Sequence, residues 1–225
     1  MVKVSEGRAV APKAEIKRTA HWIFSRRGPA FLGPIFRLGD KSIRRVGPYI
    51  QKGQVAADIG CGWGYYSFAL ADMVGPRGRV YAVDLARKCV LAIKNKAERR
   101  GCQVVEAYES TAADLSFIED GSVDFVFANG MLCSMAADRP SAVAEIRRIL
   151  KPTGRAYLSL GAAPPWGYVD RAEWSQILEG FHVDEGGAYE ARWAIVTPKY
   201  SEEVRSPRLW FTSQPSLRSS AAIRR

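Results

Sequence analysis

The chain has 225 residues, 47% of them hydrophobic and 25% charged, which is the composition of one elaborated globular domain. No apolar run approaches the roughly 18 residues that cross a bilayer, and the start lacks the pattern of a cleaved secretion signal. We therefore expect a cytoplasmic protein. The four cysteines, at positions 61, 89, 102 and 133, form no C-x-x-C pair, so we expect free thiols and no metal site.

The net charge of +10 is unevenly distributed along the chain. Residues 1–53 hold 12 Lys and Arg against 3 Asp and Glu, residues 54–198 hold 15 against 18, and residues 199–225 hold 6 against 2. This pattern predicts a basic amino-terminal cap segment, a central domain and a basic tail with these boundaries. Basic flanks suit a peripheral membrane surface or an acidic partner, which we favour over nucleic acid, and they are equally compatible with solvated surface.

From residue 54 onward, short β-branched runs alternate with helical patterns, which is typical of βαβ units around a parallel sheet. The predicted strands are residues 55–59, 80–83, 104–107, 123–128, 156–160, 181–183 and 193–197, and the predicted helices are residues 65–74, 86–100, 140–150 and 171–178. Residues 151–154, Lys-Pro-Thr-Gly, are expected to form a turn before the fifth strand. The predicted fold class is α/β, a doubly wound and mostly parallel seven-stranded sheet with an amino-terminal helical cap.

The cap prediction depends on a block of aromatic and basic residues in the amino-terminal segment. Trp22, Phe24, Phe31 and Phe36 alternate with arginines, and two prolines divide the block. We interpret it as one or two short amphipathic helices that cover a pocket at the sheet edge. A helix lying on a membrane surface is the alternative.

A glycine-rich loop, Asp58-Ile59-Gly60-Cys61-Gly62-Trp63-Gly64, lies between the first predicted strand and the first predicted helix of the central domain. Glycines let a ligand approach the backbone, and the amides of a helix start attract an anionic group. The dinucleotide fingerprint G-x-G-x-x-G would need glycine at position 65, where this chain has Tyr65. The spacing therefore disfavours a nicotinamide-dependent oxidoreductase.

With Asp58 two positions before Gly60, residues 54–160 resemble the class I S-adenosylmethionine-dependent methyltransferases, and in particular small-molecule members such as the quinone-biosynthesis enzymes. The resemblance implies a Rossmann-like methyltransferase sheet and S-adenosylmethionine as the cofactor. It further implies that the cofactor-binding residues are Asp58, Gly60, Cys61, Gly62 and Gly64 in the loop, Asp84 and Leu85 beside the ribose, Ala113 and Asp114 beside the adenine, and Asn129 and Gly130 beside the sulfonium. Residues 145–154 resemble a helix and turn that are common in the small-molecule members.

Methyl transfer from a sulfonium is an in-line displacement, which requires accurate placement more than a general base. We name His21, Tyr65 and Cys133 as candidate catalytic residues, although each also has a structural interpretation. The predicted function is methyl transfer to a small-molecule or lipid-like acceptor. The alternatives are a non-catalytic binding module of the same fold, or an RNA or protein methyltransferase that uses the basic arms.

Overall fold

The computed structural model describes residues 41–135, 137–160 and 169–199. The candidate residue His21, the aromatic cap block and most of the basic tail lie outside these described residues. The three-part division of the chain into residues 1–53, 54–198 and 199–225 therefore stays a prediction.

Seven strands form one sheet in the spatial order β3-β2-β1-β4-β5-β7-β6. The strands are β1 (Val55–Ile59), β2 (Arg79–Asp84), β3 (Val105–Glu109), β4 (Val123–Asn129), β5 (Leu150–Ser159), β6 (Phe181–Gly186) and β7 (Trp193–Pro198). The first five strands pair in parallel, and β7 runs antiparallel to both of its neighbours. The predicted doubly wound, mostly parallel sheet is confirmed.

Helices pack on both faces of this sheet. The described helices are α1 (Ser42–Val46), α2 (Tyr65–Val74), α3 (Arg87–Arg99), α4 (Arg139–Ile149) and α5 (Arg171–Glu179). On one face, Val46, Phe68 and Ile93 bring α1, α2 and α3 into one buried apolar cluster. On the other face, Ile146 and Trp174 bring α4 and α5 into a second cluster. The strands between them are buried on both sides, which explains their nearly continuous apolar sequences.

The start of β5 differs from the sequence prediction. We expected a turn at residues 151–154, whereas the strand begins at Leu150 and runs through these residues. Leu150 pairs with Val123, and the register then shifts before Phe125 pairs with Arg155. A Cβ on Gly154 would stand 2.9 Å from the Val123 carbonyl oxygen, so the missing side chain lets the irregular stretch stay close to β4. The turn-forming residues thus form a bulged strand start.

The strand order reverses between β1 and β4, since the chain continues from β1 to β2 on one side and places β4 on the other. In open α/β sheets, the carboxyl ends of the strands at such a reversal border a crevice where ligands bind. No described helix is both long enough and apolar enough to cross a bilayer.

Candidate functional site

The glycine-rich loop leaves the end of β1 and leads directly into α2. The amides of Gly60 and Cys61 both donate to the Val83 carbonyl oxygen, at 2.8 and 3.0 Å, so the loop is attached to the end of β2. Gly64 caps α2 with a positive φ of 75°. A Cβ on Gly64 would stand 2.6 Å from Cγ1 of Ile93, so glycine also permits the close packing of α2 on α3.

Gly62, at the middle of the loop, has the opposite surroundings. Its φ is +52°, a backbone conformation that side-chain-bearing residues rarely adopt. An added Cβ would meet no atom of the protein within 4 Å. The backbone at Gly62 therefore faces open space, and a ligand can approach it closely.

The carboxylate of Asp84 lies beside this open stretch. Oδ2 accepts from the Gly62 amide at 2.8 Å, and Oδ1 accepts from the Ala86 amide at 2.8 Å. A carboxylate has about four acceptor positions, so each oxygen can still accept one hydroxyl from a vicinal diol. Asp84 thus shapes the loop through the Gly62 amide, whereas from the sequence we consider only a helix cap as its structural alternative to binding the ribose.

Asp58 and Cys61 are more deeply placed than their neighbours in the loop. Asp58 is 2% exposed, and its Oδ2 accepts from the Ser67 hydroxyl at 2.6 Å. This bond joins the end of β1 to the first turns of α2. Cys61 is also buried, and burial raises the pKa of its thiol. Both side chains are therefore buried against the core and help to fix the loop's position.

The chain after β3 reaches the same edge of the sheet. The Ser110 amide donates to the Asp84 carbonyl oxygen at 3.2 Å, which links the ends of β3 and β2. Beyond this link, Asp114 is exposed, and its hydrogen bonds from Ser116 lower the pKa of its carboxyl group. Ala113 is half-buried beside it, and Leu85 is 49% exposed directly after Asp84. An apolar surface and an exposed acceptor therefore border the crevice near β2.

The end of β4 completes the site. The Ser159 hydroxyl accepts from the Gly130 amide at 3.0 Å and donates to Oδ1 of Asn129. A Cβ on Gly60 would stand 2.6 Å from Cβ of Met131, so the glycine loop and the chain after β4 are in close contact. Sequence reasoning missed Ser159. Its only signal is one polar residue among the apolar residues of the predicted strand 156–160.

The candidate catalytic residues have different surroundings. Cys133 is 3% exposed, its thiol donates to the Gly130 carbonyl oxygen at 2.9 Å, and burial raises its pKa. This geometry favours a structural role, because the thiolate is the reactive form. Tyr65 is 38% exposed and contacts the ring of Tyr66 edge to face, so its side chain remains accessible at the rim of the site.

One further aromatic residue lies at this rim. Trp63 is 38% exposed within the glycine loop, and the ammonium of Lys88 lies 5.7 Å from the centre of its ring. Within residues 41–135, 137–160 and 169–199, no three His, Cys, Asp or Glu side chains are grouped so as to hold a metal ion. The described site therefore consists of backbone amides, carboxylates and exposed apolar side chains.

Comparison with known proteins finds sequence similarity to methyltransferases over the part of the chain that contains this site. The family described as "Methyltransferase domain" matches residues 56–154. The chain is 34% identical over 143 residues to nocamycin O-methyltransferase of Saccharothrix syringae, which covers 64% of the chain and 48% of that protein. It is 33% identical over 105 residues to demethylmenaquinone methyltransferase of Geobacillus stearothermophilus, covering 47% of the chain and 44% of that protein. The chain therefore spans less than half the length of these curated relatives.

Solved structures share the fold. A structure of an S-adenosylmethionine-dependent methyltransferase from Aquifex aeolicus superposes with a TM-score of 0.59 at 24% identity, covering 82% of this chain and 96% of that one. The cyclase SpnF superposes with a TM-score of 0.55 at 20% identity, covering 64% of this chain and 57% of that one. These likenesses concern the fold, which hosts more than one chemistry.

Proposed function

We propose that the chain is a class I S-adenosylmethionine-dependent methyltransferase and that it transfers a methyl group from this cofactor to a small-molecule acceptor. The observation that carries the proposal is the pairing of Gly62 with Asp84. An open, positive-φ backbone is bonded at 2.8 Å to a carboxylate that retains acceptor positions.

The residues along the crevice fit the parts of the cofactor. Asp84 offers its remaining acceptor positions to the two ribose hydroxyls, and Leu85 offers an exposed apolar surface to the base. Asp114 offers an exposed acceptor to the adenine amino group. The open backbone at Gly62, beside the start of α2, leaves room for the amino acid portion.

When bound, the cofactor supplies a methyl group activated by a positively charged sulfonium. The task of the chain is to hold the acceptor atom in line with that methyl group and to exclude water. Asn129 is oriented by Ser159 at the end of β4, and we assign it together with Gly130 to the sulfonium end of the cofactor. Tyr65 is the catalytic candidate that the described geometry favours, because its side chain is accessible beside the loop.

We infer the acceptor class from the names of the curated relatives and from the exposed aromatic side chains beside the crevice. The two curated relatives are named for methylation of nocamycin and of demethylmenaquinone. Trp63 and Tyr65 present exposed aromatic surface next to the crevice, which suits an apolar, ring-containing acceptor. We therefore propose a small-molecule or lipid-like acceptor with an aromatic or quinone-like ring.

The partner and location predictions are part of the same proposal. We propose that the basic arms contact a peripheral membrane surface or an acidic partner in the cytoplasm. This charge arrangement supports an acceptor that resides in an anionic membrane. Nucleic acid stays the less favoured partner.

Radiolabelled S-adenosylmethionine tests the proposal directly. The protein is incubated with the labelled cofactor and a panel of phenols, quinols and hydroxylated macrocycles, and extraction separates labelled products. We expect label in at least one ring-containing compound. Label in RNA or protein instead would overturn the small-molecule assignment.

The second candidate is a protein of this fold that binds the cofactor without methylating an acceptor, because a shared fold does not fix the reaction. The two candidates differ in turnover and agree in cofactor binding. Tight binding of the cofactor together with the absence of labelled product across the panel would favour this second candidate.

A further inference from the structure

The connection between β3 and β4, residues 110–122, is described throughout and contains neither helix nor strand. Such a segment lacks a regular hydrogen-bond ladder, so its buried backbone groups need other partners. Leu115 and Ile118 are fully buried and hold the connection against the core. Several of its polar groups are bound by two side chains on α4, Glu145 and Arg148.

The N–H groups of the Arg148 guanidinium all donate hydrogen bonds, either to this connection or to Glu145. Nε and Nη2 bind the two oxygens of the Glu145 carboxylate at 2.7 and 2.9 Å. Nη2 also donates to the Leu115 carbonyl oxygen at 2.9 Å, and Nη1 donates to the Ile118 carbonyl oxygen at 2.9 Å and to Asp120 at 2.5 Å. These bonds use all five N–H groups of an arginine, whereas a lysine has three.

Glu145 binds the amide of Leu115, the residue whose carbonyl oxygen Arg148 binds. Its Oε2 accepts from the Leu115 amide at 2.7 Å, so both backbone polar groups of Leu115 are bound by the Glu145–Arg148 pair. Hydrogen bonding to Arg148 lowers the pKa of Glu145, which keeps the carboxylate charged at neutral pH. The pair fixes Leu115 in position and orientation.

Asp114 directly precedes this fixed residue. Its amide donates to the Thr111 carbonyl oxygen at 3.0 Å, and its carbonyl oxygen accepts from the Ser110 hydroxyl at 2.8 Å. Its carboxylate is exposed and accepts from the Ser116 amide at 3.2 Å. A shift of Leu115 would therefore change where the Asp114 carboxylate lies at the crevice.

We infer that Glu145 and Arg148 are positioning residues that set the base selectivity of the cofactor site by holding the Asp114 carboxylate where a 6-amino group binds. The ligand class is a purine nucleoside with an exocyclic amino donor, as opposed to a 6-oxo purine. This inference rests on the proposed function, because it assumes that the adenosine portion of the cofactor lies against Asp114.

Calorimetric titration with two probes tests it: S-adenosylhomocysteine, and S-inosylhomocysteine, which has an oxygen in place of the 6-amino group. The native protein is expected to prefer the adenosine compound about tenfold or more, because an oxo group facing a carboxylate loses one hydrogen bond and adds repulsion. Arg148→Lys and the milder Glu145→Gln should bring the two affinities close together, through weaker binding of the adenosine compound. Asp114→Asn should favour the inosine compound, because its amide can donate to the oxo group.

Arg155→Lys is the matched control. Arg155 lies in β5, outside the connection, and its Nε is 3.1 Å from Oδ2 of Asp184. This variant should therefore keep the native preference for the adenosine compound. Thermal melts verify that each variant is folded before titration. If Arg148→Lys and Glu145→Gln bind both probes equally more weakly and keep the native preference, the positioning role is overturned. Equal affinities in the native protein would overturn it too, whereas binding of neither probe by the native protein would overturn the proposed function itself.

Discussion

The amide of Gly62 donates to Oδ2 of Asp84 at 2.8 Å, across 22 positions of sequence. The bond joins the open turn of the glycine loop to the end of β2, and the second oxygen of the same carboxylate holds the Ala86 amide at the start of α3. Hydrogen bonds to a charged acceptor are among the stronger ones in proteins. The shape of the crevice therefore depends on the carboxylate that is proposed to bind the cofactor.

Replacement of Asp84 by alanine should affect both folding and binding. We expect Asp84→Ala to lower the free energy of unfolding by about 1.5 to 3 kcal/mol, because two amides lose a charged acceptor. We expect it to weaken S-adenosylhomocysteine binding roughly ten- to a hundredfold. Chemical denaturation and calorimetric titration measure the two effects.

The control for this prediction is Asp124→Ala. Asp124 accepts from the Val55 amide at 2.9 Å and pairs with Lys151, at the opposite edge of the sheet. This variant should lose stability and keep the native affinity for the cofactor product. Unchanged affinity in Asp84→Ala would remove Asp84 from the binding site.

A methyl group added at Gly62 should interfere with the ligand more than with the fold. Gly62→Ala forces alanine into a positive-φ conformation, which costs about 1 to 2 kcal/mol, but the new Cβ meets no atom of the protein. Gly53 also has a positive φ, of 84°, and open space, and it precedes β1 at the far edge of the sheet. Gly53→Ala should therefore cost similar stability and leave cofactor affinity unchanged, whereas Gly62→Ala should reduce that affinity strongly. Equal affinities in the two variants would contradict the close approach of the cofactor to Gly62.

The Cys133 thiol should be dispensable for turnover. It is buried, its pKa is raised by burial, and it donates to the Gly130 carbonyl oxygen. We expect Cys133→Ala to retain the native turnover number with any acceptor found in the labelled-cofactor assay. In the native protein, a disulfide reagent should modify Cys102 first, because the other three thiols are buried. Loss of turnover in a folded Cys133→Ala protein would restore this residue as a catalytic candidate.

The Glu145–Arg148 pair predicts a pH dependence of stability. Hydrogen bonding to Arg148 holds the pKa of Glu145 below its usual value, so the pair stabilises the fold above the unfolded-state pKa of about 4.3. This contribution is lost as the pH falls through the lower, folded-state pKa. The stability difference between the native protein and Glu145→Gln should therefore be full at pH 7 and shrink in acid below about pH 4.3. Urea denaturation across this range measures it, and a difference independent of pH would contradict the role of the charged pair.

The sequence predicted the parts of the fold that depend on local patterns. The continuous apolar runs of β1 and β4 are readable because both faces of each strand are buried. The glycine spacing identified the loop before α2. The start of β5 was not readable, because Lys-Pro-Thr-Gly is a turn sequence that the pairing of Leu150 with Val123 overrides.

The site contains interactions that no local sequence pattern predicts. The bond from the Gly62 amide to Asp84 and the bond from Ser159 to Asn129 join residues that are distant in sequence. The Glu145–Arg148 pair could be recognised as a helical i,i+3 pair, but its binding of Leu115 could not. Such contacts depend on the register of the sheet, and they required the structure.

We propose that the crevice beside Gly62 and Asp84 binds S-adenosylmethionine. Calorimetric titration of the native protein with S-adenosylhomocysteine and, separately, with NAD tests it most directly. We expect one saturable site for S-adenosylhomocysteine and far weaker binding of NAD, because Tyr65 occupies the position of the third glycine of a dinucleotide loop. Binding of NAD as tightly as S-adenosylhomocysteine, or no binding of S-adenosylhomocysteine, would contradict it.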